Sequence, residues 1–111
     1  GQGSWEAGVW DYKALPLPGS TEGYDPILVA SWCYNPSSGE WVSYDSLEGA
    51  GRKAEWIRER GLGGAMYWEL SGDRKGGIVE GVGRGMGVLD RRENHLAYQG
   101  SKFENLRKGM E

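Results

Sequence analysis

The sequence predicts an α/β chain, a helix–strand–helix unit of the kind that builds a closed barrel of parallel strands, preceded by a smaller α+β segment. Three observations predict it. Residues 61–73 read Gly-Leu-Gly-Gly-Ala-Met-Tyr-Trp-Glu-Leu-Ser-Gly-Asp, a nearly uncharged run opened by glycines, as suits a short buried strand. An amphipathic helix leads straight into that run. Upstream, two aromatic-rich stretches flank Asn35-Pro-Ser-Ser-Gly39 and read as an antiparallel hairpin.

In chain order, residues 1–20 read as irregular chain with one short helical turn. Trp5, Val9, Trp10 and Leu15 are its apolar anchors, and Pro16, Pro18 and Gly19 end any helix. Residues 27–34 combine β-branched and aromatic side chains between Asp25-Pro26 and Asn35-Pro36, and 41–44 return as the partner strand. Trp32, Tyr34, Trp41 and Tyr44 are expected to pair across it. A helix follows over 46–60, with Asp45 as its cap and Glu48 three residues on. Leu47, Ala50, Ala54 and Ile57 form its apolar face, and Gly61 closes it.

Strand geometry sends Gly64, Met66 and Trp68 to one side of the next element and Ala65, Tyr67 and Glu69 to the other. Both sides are largely apolar, which fits a strand covered on both faces. A second helix is expected over 78–89 from the spacing of Ile78, Val82, Met86 and Leu89. Gly81, Gly83, Gly85 and Gly87 would each cost it about 1 kcal/mol relative to Ala, so it should fray or bend unless packed. These glycines are not a nucleotide loop: counted from Gly81, Gly-x-Gly-x-x-Gly requires glycine where Met86 stands. Beyond residue 90, Ser101 and Glu104 are spaced as a capping box for a last short helix carrying Phe103, Leu106 and Met110.

Composition narrows the function classes. A chain of 111 residues can hold one small core. Charged residues make up 26% and are interleaved, the net charge is −3, and no basic face suited to nucleic acid is visible. No apolar run approaches the ~20 residues of a membrane span. The single Cys33 excludes an internal disulfide and, with only His95 beside it as a soft ligand, argues against structural zinc; no metal or cofactor is expected. Six Trp and six Tyr stand against one Phe. Such rings either pack a core or stack on the apolar faces of sugar rings.

The 61–69 run, its preceding helix and Ser43-Tyr44-Asp45 resemble the eighth barrel strand of glycoside hydrolase family 18, the chitinases, in the fungal and bacterial type with a small α+β insertion domain. Gly3-Ser-Trp-Glu6, the run Gly8-Val-Trp-Asp-Tyr-Lys13 and the closing segment from Ser101 to Met110 are also similar to fungal chitinases. The resemblance implies the carboxyl-terminal part of a TIM (β/α)8 barrel. Residues 1–44 would be part of the insertion domain, with hairpin 27–44; 45–89 would be the last helix–strand–helix units; 90–111 would be a strap outside the barrel. The amino-terminal part of the barrel would be the chain's missing partner, chitin or N-acetylglucosamine oligosaccharides its ligand, and the complete protein would be extracellular.

The family's acid motif, Asp-x-x-Asp-x-Asp-x-Glu, is not in the sequence, nor is its Met-x-Tyr-Asp. No catalytic residue is therefore assigned to this chain. Trp68 is the candidate floor of the subsite where the sugar is distorted, the alternative being a buried barrel tryptophan. Glu6 is the second candidate substrate contact, against a plain surface glutamate. Tyr44-Asp45 is read as a helix cap, and Glu69 and Asp73 as structural acids paired with Arg or Lys. Two other readings keep their place: a fragment of a non-catalytic chitinase-like lectin, and a self-contained aromatic carbohydrate-binding module.

Overall fold

A computed structural model describes residues 2–93 and 97–108. His95 and Met110 lie outside the described residues. The chain forms a three-stranded antiparallel sheet, β1 (Thr21–Asp25), β2 (Ala30–Asn35) and β3 (Glu40–Tyr44), in the order β1-β2-β3. Helices α1 (Leu47–Glu59), α2 (Ile78–Met86) and α3 (Glu104–Lys108) follow, and Tyr12–Ala14 and Leu70–Gly72 make single 3-10 turns.

Both hairpins are made by Asx turns. Asp25 Oδ1 accepts from the N–H groups of Ile27 and Leu28, and Asn35 Oδ1 from those of Ser37 and Ser38. Gly39, at φ 70°, completes the second turn. The expected strand 27–34 thus starts later, at Ala30, because Asp25 converts residues 26–29 into a turn. Strand β1 is one the sequence pattern hides: Thr21-Glu-Gly-Tyr-Asp25 has acids and a glycine where strands favour apolar residues. Gly23 is where the ring of Trp32 crosses it, since a Cβ there would sit 2.5 Å from that ring. Of the four aromatic residues expected to pair across the hairpin, Tyr34 and Trp41 are directly opposite; Trp32 faces Ser43 and Tyr44 faces Ser31.

The other side of the sheet buries Cys33 against Leu15 and Leu17, with Trp10, Val42 and Tyr44 packed around them. Tyr44 extends from this cluster to donate its hydroxyl to Glu22 Oε2. Burial first, and then that bonded carboxylate, hold the phenol well above its usual pKa. A group with a raised folded pKa favours the fold below its unfolded value and loses that contribution as pH rises beyond it. The denaturation midpoint of the wild-type chain should therefore begin to fall above about pH 10, the ordinary tyrosine range. Tyr44→Phe should flatten that alkaline fall in urea titrations at several pH values.

Ser46, not Asp45, caps α1, its hydroxyl accepting from Gly49 N at 3.2 Å. The same hydroxyl meets Ser31 Oγ at 2.7 Å, a buried contact that ties the helix start to β2. Asp45 is left free to bind Lys53 Nζ at 2.7 Å. Gly61, at φ 63°, ends the helix as expected.

Helix α2 packs on α1 around Ala50, Ala54 and Val82. This packing accounts for two of its glycines. A Cβ at Gly85 would lie 2.7 Å from Ala54 Cβ and 3.1 Å from Gly51 O, and one at Gly81 would lie 3.2 Å from Leu47 Cδ2. Gly87, at φ 77°, stops the helix at Met86, one turn short of the expected Leu89. The Ser101 hydroxyl accepts from Phe103 N at 3.1 Å, and α3 starts only at Glu104, so the expected capping box is replaced by a turn.

The largest departure is the expected strand at 62–70. It has no ladder partner among the described residues and is no strand here. A strand is defined by its neighbour, and the described sheet lies elsewhere in the chain.

Candidate functional site

Tyr67 packs against the α1–α2 pair. The residues flanking it, Met66 and Trp68, are 81% and 92% exposed. The segment after α1 therefore has one side on the helices and the other open. An open groove of about 690 Å³ runs along it, bounded by Ala54 and Ile57 of α1, by Tyr67 and Trp68, and by Trp5 and Trp10 of the amino-terminal segment. Its walls are mainly apolar, with Asp11, Asp45, Lys53, Glu69 and Asp73 supplying charge.

Two clasps fix the amino-terminal segment against the loop that leaves Trp68. Lys13 Nζ donates to Ser71 O at 2.7 Å and lies 3.5 Å from Asp11. Arg74 donates to Leu15 O at 2.6 Å and Tyr12 Oη at 3.1 Å, its guanidinium stacked over the Tyr12 ring at 4.5 Å. The Trp68–Glu69 and Leu15–Pro16 peptides are both cis.

Each acid expected from the sequence is placed. Glu69 accepts from Ser71 Oγ at 2.6 Å and has no basic partner among the described residues. Asp73 accepts from Ile78 N and Val79 N at 3.0 and 2.9 Å, so it caps α2 from five residues before its first residue. Gly77 makes this possible, because a Cβ there would collide with the Asp73 carboxylate. Burial pushes the Asp73 pKa up, but the N–H groups of Val79, Arg74 and Ile78 and the Arg74 charge outweigh it and hold the carboxyl below its usual range. Tyr67 is raised, by burial and then by the nearby Asp73 charge.

Trp68 lies on the groove; Glu6 is exposed in the tight loop closed by its bridge to Val9 and does not line the groove. The neighbour Trp5 does. The sequence reads Trp5 as an apolar anchor, yet its indole N–H is held by Asp11 at 3.0 and 3.1 Å. No local pattern links positions 5 and 11, so this pairing was not legible. Among the described residues no group of His, Cys, Asp or Glu is placed to hold a metal ion, and no helix is long and apolar enough to cross a membrane.

Fold and site together define an α/β chain with a side sheet and an aromatic groove left open along its central segment. Residues 1–73 match the family described as glycosyl hydrolases family 18. The chain is 41% identical over 112 residues to Chitinase 1 of Aphanocladium album, covering 99% of this chain and 26% of that protein. It is similar to the catalytic domain of psychrophilic chitinase B from Arthrobacter TAD20, with TM-score 0.57 and 38% identity over 66% of this chain and 16% of that one. It is also similar to a mutant class V chitinase from Nicotiana tobaccum solved in complex with NAG4, with TM-score 0.57 and 29% identity over 62% of this chain and 19% of that one. The chain belongs to glycosyl hydrolases family 18. It spans about a quarter of the length of curated relatives that it matches, 26% in each of three.

Proposed function

We propose that these residues are the carboxyl-terminal part of a chitinase that hydrolyses β-1,4-linked N-acetylglucosamine polymers. In that reading residues 62–70, which pair with no strand among the described residues, become the eighth strand of a TIM barrel only against polypeptide beyond this chain, 1–44 belong to an α+β insertion domain, 90–111 strap the barrel, and the complete protein acts outside the cell. Hydrolysis is retaining and substrate-assisted: the acetamido oxygen of the substrate takes the place of an enzyme nucleophile, and a glutamic acid protonates the leaving oxygen. That acid and its aspartate neighbours belong to polypeptide beyond these 111 residues.

The part assigned to this chain is sugar binding. Trp68 is the floor on which the ring to be cleaved is pressed toward a boat, so its stacking contributes to transition-state geometry as well as to affinity. Glu6, which lies outside the groove's lining, is the weaker second contact, toward the leaving-group side of the cleft of the complete protein. The observation that carries the reading is the exposed Trp68 ring, 92% accessible at the edge of an apolar groove, in a chain of this family.

The 111-residue chain alone should release no product from chitotetraose, followed by mass spectrometry over a day. Catalytic turnover by the purified chain would contradict this placement of the reactive acids.

A further inference from the structure

We propose that Trp5 is a second sugar-stacking residue of the groove and that Asp11 is the residue that positions it. The proposal rests on the chitinase reading of the groove.

Trp5 is 77% exposed yet has a fixed orientation. Its Nε1–H donates to both oxygens of Asp11, at 3.0 and 3.1 Å, so the polar edge of the indole is satisfied and its faces are left apolar and open. An exposed tryptophan with no such bond would turn among its rotamers, and ordering it on a ligand would cost about 0.5–1.5 kcal/mol. Here the structure has already ordered it.

Asp11 is itself fixed. Its side chain is only 15% exposed, its backbone N–H donates to Ser4 Oγ at 2.9 Å, and Lys13 flanks it at 3.5 Å. A Cβ at Gly72 would be 3.3 Å from Asp11 Oδ1, so the carboxylate lies against the 3-10 turn that follows Trp68. Lys13 closes the circuit by donating to Ser71 O in that turn. The two indoles therefore belong to one bonded frame, Trp5 through Asp11 and Lys13, Trp68 through the chain itself. Two indoles lining one groove suit an oligosaccharide, whose consecutive pyranose rings each present an apolar face. A single small hydrophobic ligand would need only one.

The test uses the full 111-residue chain, ¹⁵N-labelled, with chitotetraose as the probe and the six tryptophan indole N–H resonances as the readout. The Trp5 and Trp68 signals should move together along one binding curve, while those of Trp32, Trp41 and Trp56 stay in place. Trp5→Ala should weaken the affinity about three- to tenfold, and Trp5→Phe, which keeps an aromatic face, should keep most of it. In Asp11→Asn the unliganded Trp5 resonance should lose the shift that a carboxylate acceptor imposes, and affinity should fall, with the dispersion of the other signals reporting an intact fold. If chitotetraose moves Trp68 but not Trp5, or if Trp5→Ala binds as well as the parent, the proposal is overturned and the Trp68 reading survives. If neither indole responds, both fall.

Discussion

If the proposed function holds, Trp68→Ala in the complete protein should lower kcat/KM for chitin oligosaccharides by roughly 10²-fold, about 2.7 kcal/mol of transition-state stabilisation. In the 111-residue chain, where Trp68 is 92% exposed, the same substitution should change stability by about 0.5 kcal/mol or less, the range of surface substitutions. The asymmetry follows from where the side chain lies. Tyr67, next to it, packs on α1 and α2, whereas Trp68 is almost fully exposed and has no hydrogen bond among the described residues. Its ring has little to lose when the chain unfolds. A loss divided between kcat and KM would place the stacking partly in the ground state, and a larger loss in kcat would place it in the distorted ring. Parallel losses of turnover and thermal midpoint would instead make Trp68 a core residue and remove the sugar from it.

The second large effect concerns two glycines on one helix, with opposite signs. Gly85→Ala should destabilise the chain by about 1–3 kcal/mol, as overpacking does, even though alanine is the better helix former. The reason is the 2.7 Å approach its Cβ would make to Ala54, on the tightest part of the α1–α2 contact. Gly83→Ala, which meets nothing within 4 Å, should stabilise by roughly 0.5–1 kcal/mol through propensity alone. Urea midpoints of the two variants should bracket that of the parent. A shift in the same direction for both would mean that the helices do not pack this closely.

Those glycines also show where sequence reading stops. Periodicity located α2 from Ile78, Val82 and Met86, and charged it for every glycine. It could not tell that Gly81 and Gly85 face α1, because close approach is a property of two helices and is written in neither alone. Helix α1 was legible to within a residue or so, since its amphipathic face and Gly61 are local signals. Its cap was misplaced by one position because Ser46 and Asp45 are both able to accept, and the bond to Ser31 that fixes the choice comes from 15 residues upstream. Hairpin β2–β3 was legible from the turn at Asn35–Gly39, while β1 escaped because its pairing, not its composition, makes it a strand.

The site divides in the same way. Trp68 stands out as the last aromatic side chain before a Ser-Gly-Asp exit, a local feature. The bond between Trp5 and Asp11, and the clasps of Lys13 and Arg74 to residues 58 and 59 positions away, arise only when the amino-terminal segment folds back on the loop after Trp68. For Asp73 the sequence suggests a basic side-chain partner, whereas its hydrogen-bond donors are backbone N–H groups of α2.

The proposed function requires a sugar ring lying flat on the Trp68 indole. The most direct measurement is an isotope-filtered NOE experiment on the chain with chitotetraose. It should give cross-peaks between the axial C–H protons of one pyranose and the Trp68 ring protons. Cross-peaks confined to other aromatic residues, with the Trp68 ring silent at saturating ligand, would contradict it.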